Sequence, residues 1–183
     1  MREILTRIHL LDLVLERGYR KAAEVGVFEG AYSNSILLRT GVDSLFCVDP
    51  FDGRGMKDVH RGKIDADDIF PICDARLRKF GNRVEYAKIT SEQAADTFLD
   101  GDLDFVYIDA KHTKRAIKRD LELWYPKVRE GGMIAGHDYK NRGSKLVKQV
   151  VDSFFEGEQK EVHETSERTS RRRQKVKSFF VIK

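Results

Sequence analysis

The chain has 183 residues, 40% of them apolar and 35% charged, and its formal net charge is +4 at pH 7. This length and balance predict one soluble globular domain over residues 1–183 and exclude a disordered chain. The sequence contains no apolar run of 18 residues, and acidic residues interrupt the N-terminal apolar pattern, so neither a membrane span nor a signal peptide is predicted. Two cysteines cannot form a disulfide framework. We therefore expect a cytoplasmic protein without a membrane partner.

The first elements are a helix, a strand and a glycine turn. Helical spacing of apolar residues predicts an amphipathic helix within residues 1–17, and residues 22–25 predict a short buried strand. Gly26 and Gly30 break the strand, and a helical pattern resumes over residues 31–38. A small ligand can approach bare backbone at such a turn, because the first N–H groups of the helix point at it.

Two further strands follow. Residues 44–48 predict the second strand, and Asp49 ends it. Asp49 lies 23 residues after Gly26, about where α/β nucleotide-binding folds place a ribose-binding carboxylate. Residues 51–63 are glycine-rich and charged without periodicity, which predicts a loop beside the ligand cleft. A third strand is predicted over residues 84–87, and a helix with capping-box spacing follows it.

The next two strands carry polar residues at their ends. Residues 103–108 form the most hydrophobic stretch and predict the fourth strand, which a long helix follows. A fifth strand is predicted over residues 133–135. The polar residues delivered by these two strands are Asp109, His112, His137 and Asp138. In a parallel sheet ligands bind outside the carboxyl ends of the strands, so these residues, together with Glu24 and Asp49, predict one ligand site.

Residues 159–183 predict a terminal β-hairpin, whose polar connection contains Arg168 and the basic run 171–177. Because strands alternate with helices throughout the rest of the chain, the predicted fold class is α/β, a doubly wound sheet with right-handed crossovers.

Four segments of the sequence resemble the class I S-adenosylmethionine-dependent methyltransferases. These segments are residues 24–30, 47–51, 105–112 and 131–139. The nearest branch is that of the small O-methyltransferases, which includes the macrocin type, and the metal-dependent catechol type is more distant. The resemblance implies a Rossmann-like, mostly parallel sheet of seven strands in the order 3-2-1-4-5-7-6, the last antiparallel, with helices on both faces. Two departures are Phe28, where a glycine is commoner, and Tyr139, where the catechol type has a metal-binding asparagine.

The resemblance implies S-adenosylmethionine as the methyl donor. Gly26 would let the backbone close around the amino-acid end of the cofactor, and Glu24 would fix that side. Asp49 would accept hydrogen bonds from the ribose hydroxyls, and Ser91 would border the adenine. The full set of predicted cofactor residues is Glu24, Gly26, Gly30, Asp49, Ser91 and Asp109.

The predicted reaction is methyl transfer to a hydroxyl oxygen of a small molecule. A hydroxyl is a poor nucleophile until it loses its proton, and a hard divalent cation lowers that barrier. Asp109 and Asp138 are the predicted ligands of Mg²⁺ or Mn²⁺, and His137 is either a third ligand or a residue that holds the loop. His112 is the predicted general base, and with Asp109 it makes up the catalytic pair.

Other functions stay open. An NAD-dependent dehydrogenase would show a G-x-G-x-x-G turn, which residues 26–30 do not satisfy. A nucleic-acid methyltransferase, or a basic nucleic-acid-binding protein, would use the basic run 171–177. A solvated hairpin tip is the simpler interpretation of that run, because no aromatic residues are interleaved there for stacking. The oligomeric state is also open, and a homo-oligomer is compatible with the sequence.

Overall fold

Seven strands form one mostly parallel sheet in the computed structural model, which describes residues 6–54, 59, 62–140, 145–166 and 176–183. The strands are β1 (Lys21–Val25), β2 (Ser44–Val48), β3 (Val84–Ala87), β4 (Leu103–Ile108), β5 (Val128–Lys140), β6 (His163–Glu164) and β7 (Lys177–Ile182). Their order is β3-β2-β1-β4-β5-β7-β6, and β7 is antiparallel to both of its neighbours. The predicted seven-stranded fold and strand order are confirmed.

Six α-helices connect and cover the strands within the described ranges. They are α1 (Arg7–Glu16), α2 (Ala31–Arg39), α3 (Ile69–Leu77), α4 (Ser91–Ala95), α5 (Lys114–Trp124) and α6 (Leu146–Gly157). The capping box predicted for α4 is present, because the Thr90 side chain accepts from the Gln93 N–H and the Gln93 side chain accepts from the Thr90 N–H. No helix in these ranges has the length and apolarity needed to cross a membrane.

The sheet is buried on both faces, which explains the continuous apolar strands. Ala22 and Phe105 pack into one core with α1, α2 and α3, whereas Ala23 and Val106 pack into the other with α4, α5 and α6. A parallel strand covered on both sides needs apolar residues at every position. In β1 and β4 the charged side chains are therefore confined to the strand ends, and those at the carboxyl ends form the site.

Gly26 allows the ends of β1 and β4 to pack closely. Its φ is +89°, and a Cβ at this position would lie 2.4 Å from the carbonyl oxygen of Asp109. The Asp109 N–H donates to the Val25 carbonyl at 2.8 Å, which ties the two strand ends together. Only glycine fits here, and the reason is the approach of the chain's own backbone.

Strand β5 is longer than the sequence predicts. It runs over Val128–Lys140 rather than residues 133–135, because a register shift against β4 lets it begin before the glycine pair 131–132. His137 and Asp138 therefore lie within its last part. Asp138 has a φ of +54°, a conformation that non-glycine residues rarely adopt and that clusters at functional sites.

The predicted terminal hairpin pairs as expected, with His163 opposite Phe180 in antiparallel register. Its connection lies largely outside the described residues, and so do Arg168 and the basic run up to residue 175. Lys177 of that run begins β7, where its Nζ lies 2.7 Å from Glu164 Oε1.

Candidate active site

Three predicted ligands meet at the carboxyl edge of the sheet. Asp109 follows β4, and His137 and Asp138 lie near the end of β5, which pairs with β4 through Ile108 and Gly136. His137 Nδ1 is 3.6 Å from Asp109 Oδ1 and 3.5 Å from Asp138 Oδ2. One donor atom from each of the three residues lies within 4.8 Å of the others. The donors can therefore converge on a single cation.

His112 lies at the open side of this cluster. Its Nε2 is 3.4 Å from Asp138 Oδ2 and 3.7 Å from Asp109 Oδ1, and 43% of its side chain is exposed. The short link between β4 and α5 fixes this position, and Thr113 caps the start of α5. His112 can therefore contact a bound acceptor and the carboxylates from the same place.

Asp109 is at the electrostatic centre of the cluster. Burial raises the pKa of its carboxyl, while His137, Arg7 and His112 act in the opposite direction and the charge of Asp138 adds to the increase. Two carboxylates this close repel each other unless positive charge lies between or beside them. The site is thus suited to a cation.

Glu24 is a buried acid at the end of β1. It is 2% exposed, and its Oε2 accepts a hydrogen bond from the Ser33 hydroxyl at 2.5 Å. Burial raises the pKa of its carboxyl to about 8. Burial thus favours the neutral form of Glu24, and a cationic ligand group beside it would favour the charged form.

We expect Glu24→Gln to make stability less sensitive to alkaline pH. The ordinary carboxyl pKa is 4.5 and the folded value is about 8, so the folded chain keeps a proton that the unfolded chain has released between these values. The wild-type free energy of unfolding should fall as pH rises through this window, by up to roughly 5 kcal/mol. The variant should lack this loss in urea unfolding at pH 5 to 9. The exposed Glu85→Gln serves as control, and equal pH profiles for wild type and Glu24→Gln would contradict the expectation.

Asp49 is at its predicted strand end, with its carboxylate turned under the glycine turn. It is 4% exposed. Its Oδ2 accepts from the N–H groups of Val27 and Phe28, both at 2.9 Å, and its Oδ1 accepts from the Phe51 N–H at 2.7 Å. In this structure Asp49 therefore holds the turn. Its binding of ribose stays a prediction.

Gly30 starts helix α2 in a left-handed conformation, with a φ of +73° and no side-chain cap. A Cβ here would lie 2.9 Å from Cys73 Sγ, so Gly30 also lets α3 pack against the turn. The start of α2 is thus not covered by a capping side chain, and its N–H groups suit an anion.

Ser91 directs its hydroxyl toward helix α5. The hydroxyl donates to Asp120 Oδ1 at 2.6 Å and accepts from Trp124 Nε1 at 2.9 Å. Asp120 is 5% exposed, and burial raises its pKa to about 6. Asp120 lies on the buried side of α5 with Ile117, Leu121 and Trp124. Contact between Ser91 and adenine stays a prediction.

Arg7 is a site residue that sequence reasoning did not find. Its Nη1 lies 3.4 Å from Asp109 Oδ2, although the two residues are 102 positions apart. No local pattern marks Arg7, because only the packing of α1 against the sheet brings it to this edge.

The fold and the cluster at its edge define a Rossmann-like methyltransferase architecture. The sequence matches the family described as a methyltransferase domain over residues 23–139, from the first strand through the end of the cluster. The chain belongs to this methyltransferase family, which confirms the class predicted from the sequence. It is also 24% identical to an uncharacterized protein of Acanthamoeba polyphaga mimivirus over 123 residues. This match covers 64% of this chain and 51% of that protein. The chain thus spans about half the length of this relative.

Solved structures share the fold at low sequence identity. A cofactor-bound protein from MTB has a TM-score of 0.70 at 12% identity, with 100% of this chain and 83% of that chain covered. An O-methyltransferase from Bacillus cereus in complex with SAH has a TM-score of 0.63 at 16% identity, with 96% of this chain and 80% of that chain covered. The O-methyltransferase TomG from Streptomyces achromogenes in complex with SAM has a TM-score of 0.64 at 14% identity, with 96% of this chain and 78% of that chain covered. This likeness concerns the fold.

Proposed function

We propose that the protein transfers a methyl group from S-adenosylmethionine to a hydroxyl oxygen of a small molecule, assisted by a divalent cation. The observation that carries this proposal is the cluster of Asp109, His137 and Asp138, with His112 beside it, at the ligand-binding edge of a methyltransferase fold. The similar O-methyltransferases solved with SAH and SAM support the cofactor and the oxygen acceptor.

The residues at the glycine turn fit the amino-acid end of the cofactor. That end carries one carboxylate and one ammonium group. The start of α2, where Gly30 provides no capping side chain, suits the carboxylate. Glu24 is a buried acid without full charge compensation, and the ammonium group would stabilise its ionised form.

The donor set at the strand ends fits a divalent cation. Asp109 and Asp138 offer carboxylate oxygens and His137 offers a nitrogen, and their donor atoms lie close enough to bind one ion. Carboxylates suit Mg²⁺ and Mn²⁺, and we propose one of these ions. When bound, it would make the acceptor hydroxyl easier to deprotonate.

The chain's own residues then position the acceptor and move one proton. His112 accepts the hydroxyl proton at a ring nitrogen, while the acceptor oxygen bonds to the methyl carbon. When bound, S-adenosylmethionine would supply the methyl group, since its carbon–sulfur bond would break with the electron pair kept by the sulfur and S-adenosylhomocysteine would leave. No covalent protein intermediate is needed, so the contribution of the fold is largely alignment.

A second candidate is methyl transfer to a nucleic acid. Helix α5 begins beside His112 with exposed cations and has no acidic residue in its first turn. These cations are Lys111, Lys114, Arg115, Lys118 and Arg119. Basic residues oppose the helix dipole at this end, so helix stability does not account for them. Tight oligoribonucleotide binding that weakens steeply with salt would favour this candidate.

The first test of the proposed function is cofactor binding to the wild-type protein. We expect isothermal titration calorimetry to show S-adenosylhomocysteine binding at about one molecule per chain and no heat with NAD. Binding of NAD without S-adenosylhomocysteine would overturn the methyltransferase proposal and favour the dehydrogenase alternative.

A further inference from the structure

Arg7 is the cation that helix α1 places at the carboxyl edge of the sheet. Its Nη1 lies 3.4 Å from Asp109 Oδ2, and 34% of its side chain is exposed. Its Cζ lies 5.1 Å from the centre of the Tyr32 ring, and the Tyr32 hydroxyl donates to the Arg7 carbonyl at 3.0 Å. Tyr32 therefore holds both the backbone and the guanidinium of Arg7.

Tyr32 links Arg7 to the start of helix α2. It is the second residue of that helix, and its ring packs 4.1 Å from the Tyr107 ring of β4. Both tyrosines are buried. The Arg7 guanidinium thus lies beside the ring of a first-turn residue of α2 and beside the carboxylate of Asp109. The arginine therefore joins the start of α2 to the cluster.

The acids near Arg7 leave a need for positive charge. The carboxyls of Glu24 and Asp109 stand at the carboxyl ends of the neighbouring strands β1 and β4, and Arg7 Nη1 lies 3.4 Å from Asp109 Oδ2. A ligand with both an ammonium and a carboxylate group can pair its ammonium with these acids. Its carboxylate then requires donors, which Arg7 and the first N–H groups of α2 can offer.

We propose that Arg7 binds the carboxylate at the amino-acid end of S-adenosylmethionine, an inference that rests on the proposed function. Arg7 Nη1 lies 3.4 Å from Asp109 Oδ2, longer than the 2.7–2.9 Å usual for a charge-assisted hydrogen bond. A ligand carboxylate could therefore approach Arg7 more closely than Asp109 does. Its planar fork matches a carboxylate in bidentate geometry, which lysine cannot reproduce.

Two ligands that differ only at the amino-acid end separate this role from others. S-adenosylhomocysteine carries the carboxylate, whereas 5′-methylthioadenosine lacks it and keeps the adenosine and sulfur. We expect Arg7→Ala to weaken S-adenosylhomocysteine binding by about 10- to 100-fold, the loss of a charged hydrogen-bond pair. Binding of 5′-methylthioadenosine should change less than about threefold. Isothermal titration calorimetry on the full chain measures both.

Arg39→Ala is the matched control. Arg39 of α2 pairs with Asp12 of α1 at 3.0 Å, so this variant removes one charge and one α1–α2 contact away from the edge. It should leave both affinities unchanged. Arg7→Lys keeps the cation and should recover part of the S-adenosylhomocysteine affinity. This second variant keeps the test valid if Arg7→Ala disturbs the packing of helix α1.

Equal losses for both ligands in Arg7→Ala and Arg7→Lys would overturn the inference, because they would indicate a structural role. Unchanged S-adenosylhomocysteine affinity would overturn it as well. If the wild type bound neither ligand, the proposed function itself would fall, and the inference with it. That outcome is visible before any variant is made.

Discussion

Replacing Asp138 with asparagine is expected to lower Mn²⁺ affinity by at least roughly 100-fold and to abolish cation-dependent methyl transfer. The variant keeps the shape of the side chain but loses the charge that lies 3.5 Å from His137 and 3.4 Å from His112. An amide is a weaker ligand for a hard cation than a carboxylate. Electron paramagnetic resonance of free Mn²⁺ measures the affinity, and turnover follows once an acceptor is identified.

Cofactor affinity separates this effect from general damage to the site. S-adenosylhomocysteine should bind Asp138→Asn within about threefold of the wild type, because Asp138 belongs to the cation site in the proposed mechanism. Asp100→Asn makes the same chemical change at an exposed pair with Lys127 and should alter neither affinity. Full turnover in excess chelator, or equal Mn²⁺ affinity in wild type and Asp138→Asn, would contradict the cation role.

Replacing His112 with alanine is expected to reduce the methyl-transfer rate by roughly two to four orders of magnitude, the usual loss for a general base. The imidazole lies over both carboxylates and is 43% exposed, so free imidazole can reach the vacated space. We therefore expect added imidazole to restore part of the rate in single-turnover measurements.

A ligand role for His112 predicts a different pattern. If His112 coordinated the cation, Mn²⁺ affinity would fall together with the rate, and added imidazole would restore both. We expect Mn²⁺ affinity to stay within about threefold, as for a residue outside the ligand set. His163→Ala is the control, because its ring stacks on Phe180 in the terminal strands. A rate equal to that of the wild type would rule out the base.

Much of the fold could be predicted because its signals are local. Short buried strands alternate with helices, and each strand ends at a turn or a polar residue that the sequence displays directly. A parallel sheet brings all its carboxyl ends to one edge, so the sequence predicts that Asp109, His137 and Asp138 meet there. The terminal hairpin was also predicted from its pattern, and the resemblance of four ordered segments added the number and order of the strands.

Only the tertiary structure decided how individual side chains turn and which distant residues join them. The carboxylate of Asp49 is taken up by backbone N–H groups of the turn, and Ser91 bonds to helix α5. Gly26 is required by the approach of Asp109, and Arg7 reaches the site across 102 positions. The apolar pattern indicates which segments are strands and which residues end them. The parallel sheet then brings these end residues together, so the cluster could be predicted from the sequence. The apolar pattern does not encode rotamers or the docking of a helix, which depend on packing between elements far apart in the chain.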